Sequence, residues 1–63
     1  MTYTEITKAT LEELEARKEA IDTRLFYLEM ADMLIGKEYE EYNKLTNEKM
    51  WIIGEIRERR QAD

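Results

Sequence analysis

At 63 residues the chain is a single domain at most, and one this short buries only about 60% of its unfolded surface, so the lone chain is expected to be marginally stable. It contains no cysteine and no histidine, which excludes disulfide staples, thiolate and imidazole metal ligands, and the commonest general base. With 10 Lys and Arg against 15 Asp and Glu, a net charge of −5, the chain repels a phosphate backbone on average and nucleic acid is disfavoured as a partner.

The first ten residues, MTYTEITKAT, lack the basic and apolar regions of a secretory signal, so a cytoplasmic location is expected. With no proline, two glycines and 40% charged residues, the chain reads as mostly helical, because helix breakers are almost absent. Helix 1 is predicted from about Ile6 or Leu11 to Ile35. Thr10-Leu-Glu-Glu13 matches a capping box, in which Thr10 accepts from the amide of Glu13 and Glu13 reaches back. An earlier start capped by Thr4 or Thr7, with Ile6 as a staple, would give a frayed turn ahead of firm helix.

Leu25–Ile35, LFYLEMADMLI, is the most apolar stretch. Broken by Glu29 and Asp32, it falls well short of the roughly 20 residues that span a bilayer, so no membrane segment is expected. Gly36 follows it and suits a left-handed helix end. Helix 2 is predicted from about Glu38 to Arg60. Glu12, Glu13 and Glu15 at the start of helix 1, and Arg57, Arg59 and Arg60 at the end of helix 2, both complement the helix dipole.

At 100° per residue, Leu11, Leu14, Ile21, Leu25, Leu28 and Ile35 share one arc of helix 1, with Lys18 and Asp32 inside it. Tyr42, Leu45, Ile52, Ile53 and Ile56 form the matching arc of helix 2, with Lys49 inside it. A reversal at Gly36 pairs positions whose numbers sum to roughly 73 to 74. Leu28 then faces Leu45, Ile21 faces Ile52, and Asp32 lies near Tyr42. The expected core is Leu14, Ile21, Leu25, Leu28, Leu45, Ile52 and Ile56.

One hairpin does not use all the apolar surface. Phe26, Tyr27, Met30, Met33 and Leu34 lie off the helix 1 arc and call for a second chain. Self-association of two hairpins into a four-helix bundle is the favoured reading, and a groove for a different protein is the other. Trp51 stands on the far side of helix 2 from its apolar arc, among Lys44, Asn47, Glu48, Glu55 and Glu58, and is a candidate partner-binding hot spot. The competing reading packs it on a dimer mate or on neighbouring side-chain stems. Gly54, one turn on, would let a partner backbone approach the indole.

Catalytic chemistry finds no footing. The glutamates recur at helical spacing, but they read as a solvated face supported by pairs such as Glu40 with Lys44, and di-metal bundles require histidine as well. Isolated glycines make no phosphate loop, and a hydrolytic triad has no His, Cys or Ser to draw on. No catalytic residue, cofactor, metal or small-molecule ligand is therefore expected. Arg57, Arg59 and Arg60, interrupted by Glu58, offer only a small footprint for nucleic acid.

The layout resembles a family of small helical-hairpin sporulation regulators whose second helix carries a Ser-x-x-x-Asp signature. The nearest counterpart here, Leu45-Thr-Asn-Glu-Lys-Met50, has Thr46 and Met50 at the signature positions, so the resemblance does not extend to their phosphatase activity. In size and topology the chain is also similar to dimeric hairpin regulators such as the plasmid RNA-binding protein Rop, and its brevity and acidity resemble small bacteriophage or mobile-element proteins that bind a host factor. The expected protein is an all-α antiparallel two-helix hairpin, one domain over residues 1–63, that dimerises and binds another protein as an inhibitor or adaptor. The alternatives are a structural subunit, such as a virion component, and a nucleic-acid regulator using the Arg57 to Arg60 end.

Overall fold

A computed structural model describes residues 1–31 and 35–62. Among these residues three helices follow one another: α1 (Tyr3–Lys8), α2 (Leu11–Met30) and α3 (Lys37–Ala62). Both α1 and α2 pack on α3. The molecule measures 43 × 18 × 16 Å. Its length is that of α3 alone, about 39 Å at 1.5 Å per residue, and its width is that of two helices side by side.

Two capping boxes shape the N-terminal third. Thr2 Oγ1 accepts from the Glu5 amide at 3.3 Å, and Glu5 Oε1 accepts from the Thr2 amide at 3.0 Å. The same exchange starts α2: Thr10 Oγ1 accepts from the Glu13 amide at 3.1 Å, and Glu13 Oε1 accepts from the Thr10 amide at 3.4 Å. The expected Thr10 cap is therefore present. The frayed turn ahead of it is instead a capped helix, because Thr2-x-x-Glu5 repeats the Thr10-x-x-Glu13 pattern. An extended Ala9 separates the two helices, and Ile6, fully buried, anchors α1 to the core.

The core comprises Ile6, Ala9, Leu14, Ile21, Leu25, Leu28, Ile52 and Ile56, with Met1, Tyr42 and Leu45 partly buried against it. Six of the seven expected core residues are buried and the seventh, Leu45, lies at the edge. Leu11 is exposed at 38%, since it opens α2 beyond the reach of the core.

The turn differs from expectation. α2 ends at Met30, and Ala31 is extended with ψ 137°, so helix 1 does not continue to Ile35. Ile35 stands 65% exposed and does not close the hairpin. Gly36 does adopt the left-handed region, with φ 49°. It does so at the entry to α3, where its carbonyl accepts from the Glu40 amide at 3.2 Å. The pairs across the hairpin depart from the expected sum of roughly 73 to 74. Arg17 meets Glu48 and Arg24 meets Glu41, pairs that sum to 65, while Asp22 meets Lys49 and Glu29 meets Tyr42, pairs that sum to 71. Asp32, expected opposite Tyr42, lies outside the described residues, as do Met33 and Leu34. The Tyr42 hydroxyl donates to Glu29 Oε1 at 3.0 Å.

Ile6 gives the first prediction. If α1 is part of the core, Ile6→Ala should lower the unfolding free energy by about 2–4 kcal/mol, the usual cost of emptying a buried isoleucine site. Urea denaturation followed by circular dichroism measures this, and a loss below about 0.5 kcal/mol, typical of a surface change, would return α1 to a frayed turn.

Candidate functional site

The seam between α2 and α3 is bordered on both sides by polar pairs that recur every seven residues. Arg17 and Arg24 lie seven apart on α2 and meet Glu48 and Glu41, seven apart on α3. Along the other border, Asp22 and Glu29 meet Lys49 and Tyr42, again seven apart on each helix. This is the geometry of an antiparallel coiled coil, whose flanking positions carry the charges that set register. Arg60, 3.1 Å from Glu15, adds a further pair between the helices toward the C-terminal end of α3, outside the seven-residue repeat.

Glu48 holds the three helices together. It is a charged residue in the core, 8% exposed. Arg17 Nε and one of its terminal nitrogens donate to the two carboxylate oxygens at 2.6 and 3.0 Å. The Met1 ammonium lies 2.8 Å from Oε2. The Glu48 carboxyl is held below its ordinary value of 4.5, first by the hydrogen bonds from Arg17, against the opposing effect of burial and with help from the Met1 ammonium. Two exposed carboxyls are lowered as well: Glu41 chiefly by the hydrogen bonds from Arg24, and Glu5 chiefly by those from Thr2. The expectation that Glu48 belongs to a solvated face is thus corrected. A carboxylate one helical turn from Trp51 is buried because an arginine on the facing helix neutralises it.

Trp51 is 48% exposed. Its ring meets Tyr3 edge-on, with centroids 6.2 Å apart and planes at 84°. Its contact is therefore α1, a neighbour that the frayed-turn reading could not supply. Tyr3, Trp51, Lys44 and Asn47 line an open depression of about 420 Å³ together with Met1, Thr2 and Glu48. Two other residues expected beside Trp51 lie outside it: Glu55 accepts from Arg59 Nε at 3.0 Å, and Glu58 is exposed. A Cβ added at Gly54 would meet nothing within 4 Å, so this glycine faces open space.

The basic end is drawn into the fold. Arg59, besides bonding Glu55, donates to the carbonyls of Ile6 and Thr7 at 3.4 and 3.2 Å, which satisfies free carbonyls in the last turn of α1. Arg60 bonds Glu15. Arg57 lines a shallow pocket with Lys18, Ile53 and Gln61. Of the residues expected at a second interface, Phe26, Tyr27 and Met30 are exposed at 61%, 67% and 67%.

Among the described residues no group of three acidic side chains is placed to hold a metal ion, and no helix is long and apolar enough to cross a membrane. Compared with protein-family profiles, with curated proteins and with solved structures, the chain matches none of them.

Two outcomes follow for solution measurements. A carboxyl whose folded pKa lies below its unfolded one contributes stability that is complete above the unfolded value and is lost as pH falls through the folded value. The melting temperature should therefore hold steady at neutral pH and fall once pH drops below about 4.5. Glu48→Gln should cost about 1.5–3 kcal/mol at pH 7 by weakening charge-assisted hydrogen bonds and should make the acid loss shallower; an unchanged acid limb would mean that Glu48 does not carry it. Gly54→Ala should raise stability by about 0.5–1 kcal/mol through helix propensity, read from the same denaturation curves.

Proposed function

We propose that this chain is a small non-catalytic protein-binding regulator, an inhibitor or adaptor, that acts as a helical-hairpin dimer. The observation that carries the reading is the exposure of Phe26, Tyr27 and Met30 on the side of α2 turned away from α3. Two large aromatics and a methionine within five consecutive residues form the kind of exposed apolar patch that marks an interaction surface. The small core favours the same reading, since association is the usual remedy for a chain of this size that has no disulfide or metal.

The second surface is the depression around Trp51 and Tyr3, with Lys44 and Asn47 on its rim. A half-exposed tryptophan whose edge is fixed by a neighbouring ring is pre-organised for contact, and such residues dominate protein interfaces. In this reading the α2 patch pairs two copies and the Trp51 depression takes the target. Nucleic-acid binding through the basic end is not favoured, because Arg59 and Arg60 already spend hydrogen bonds on Glu55, on two α1 carbonyls and on Glu15.

Light scattering across a concentration series is expected to give twice the chain mass at micromolar concentration. Phe26→Asp should raise the dimer dissociation constant at least tenfold, about 1.4 kcal/mol, while leaving the helical signal intact at high concentration. A folded wild-type monomer at micromolar concentration would sink the dimer. As the single tryptophan, Trp51 reports the second surface separately: its emission should not move as the copies pair, and should shift to the blue only when a target covers it.

A further inference from the structure

The exposed side of α2 has an order of its own. Ala16, Ala20, Thr23, Tyr27 and Met30 recur at alternating intervals of four and three, the spacing of a coiled-coil seam, and all five are exposed. This seam lies on the opposite side of α2 from the core residues Leu14, Ile21, Leu25 and Leu28. Its N-terminal half is small and its C-terminal half is large.

We propose that two copies of the chain pair antiparallel along this seam, Ala20 of one copy facing Met30 of the other and Thr23 facing Tyr27. This rests on the reading of the α2 patch as a dimer surface and adds orientation and register to it. Three observations support the arrangement. Glu12, Glu13 and Glu19 cluster at the N-terminal end of the exposed side, with Phe26, Tyr27 and Met30 at the other. A parallel pair would set acidic ends against each other, whereas an antiparallel pair separates them and also opposes the helix dipoles. Shape points the same way. A parallel pair stacks small on small and large on large, while an antiparallel one sets each large residue into the gap over a small one, as close packing requires.

In an antiparallel coiled coil an a-type position faces a d-type one, which leaves two registers for this seam. The alternative, Ala16 facing Tyr27 and Ala20 facing Thr23, would leave Met30 opposite Glu13 and Phe26 opposite Arg17, which is engaged with Glu48. The proposed register covers Tyr27 and Met30 and brings the two copies of Phe26 beside the two-fold axis. Thr23 can be buried there without cost to its hydroxyl, which donates to the Glu19 carbonyl at 3.1 Å. Phe26, Tyr27 and Met30 each have about 200 Å² of surface and are about two-thirds exposed, so a pair removes roughly 800 Å² from water through them alone. Ala20 and Thr23 bring the total to about 1,000 Å², at the lower edge of specific interfaces.

The absence of native cysteine makes the test direct. Ala20→Cys and Met30→Cys chains are prepared separately, mixed, mildly oxidised and analysed by mass spectrometry. Mixed Ala20→Cys/Met30→Cys disulfides are expected to dominate, with little cross-linking of either variant alone, since identical positions lie about 15 Å apart along the axis. Self-cross-linking of Ala20→Cys would show a parallel pair and overturn the proposal. Preferential joining of Ala16→Cys to Tyr27→Cys would overturn the register. Light scattering on the unmodified chain separates the two levels: a monomer removes the dimer itself, whereas a dimer without the expected cross-link removes only this arrangement. Ala20→Glu, at an exposed position outside the core, should yield a helical monomer.

Discussion

The carboxylate of Glu48 is where the three helices meet, and it constrains how each can sit. Arg17 brings α2 to it, the Met1 ammonium brings the segment that leads into α1, and the residue itself belongs to α3. Removing a charge from water is costly unless partners replace its hydration, and here two nitrogens of Arg17 and the ammonium do so. The paired carboxylate fixes the relative height of α2 and α3, because sliding by one turn would leave it buried without its arginine. Apolar burial among Leu14, Ile21, Leu28 and Ile52 is stronger in sum but tolerant of sliding. Charge gives the hairpin its register, and the core gives it the drive to close.

Much of this was legible in the sequence. The periodicity of Leu14, Ile21, Leu25 and Leu28 against Ile52 and Ile56 identifies the buried faces, because a 3.6-residue period leaves no other way to collect them on one side. The Thr10 box marks the start of α2 by chemistry rather than by pattern. The other end of α2 is harder to read: no glycine or proline stands near Met30, so the apolar run reads as helix through Ile35, and an error of a few residues there moves the expected sum away from the 65 of the two Arg–Glu pairs and the 71 of Asp22 with Lys49. Glu41 and Glu48 stand seven apart, as do Arg17 and Arg24, so the register is written in the charges rather than in the turn.

The α1 helix and the setting of Trp51 go together, and neither is plain from sequence pattern. Thr2-x-x-Glu5 is the same signature as Thr10-x-x-Glu13, only shorter in reach, and a six-residue helix is not stable alone. It persists because Ile6 is buried and because Arg59 caps its last turn. Once α1 is in place, Tyr3 stands beside Trp51, and the tryptophan becomes one wall of a depression. Nothing within α3 announces this, since the partner ring comes from a segment 48 residues earlier.

The borders of the hairpin also explain how one helix can be apolar on two sides without collapsing ambiguously. Arg17 and Arg24 run along one edge of the α2 core face and Asp22 and Glu29 along the other, each held by a partner on α3. A residue such as Phe26 or Tyr27 could turn inward only by carrying those four charged side chains off their partners and placing some of them in the core. The rows therefore assign Leu14, Ile21, Leu25 and Leu28 to the hairpin and leave Phe26, Tyr27 and Met30 outside. With the inner face spoken for, none of the three helices covers the outer one, and whatever meets it finds a surface whose orientation is already fixed by the ion pairs beneath it.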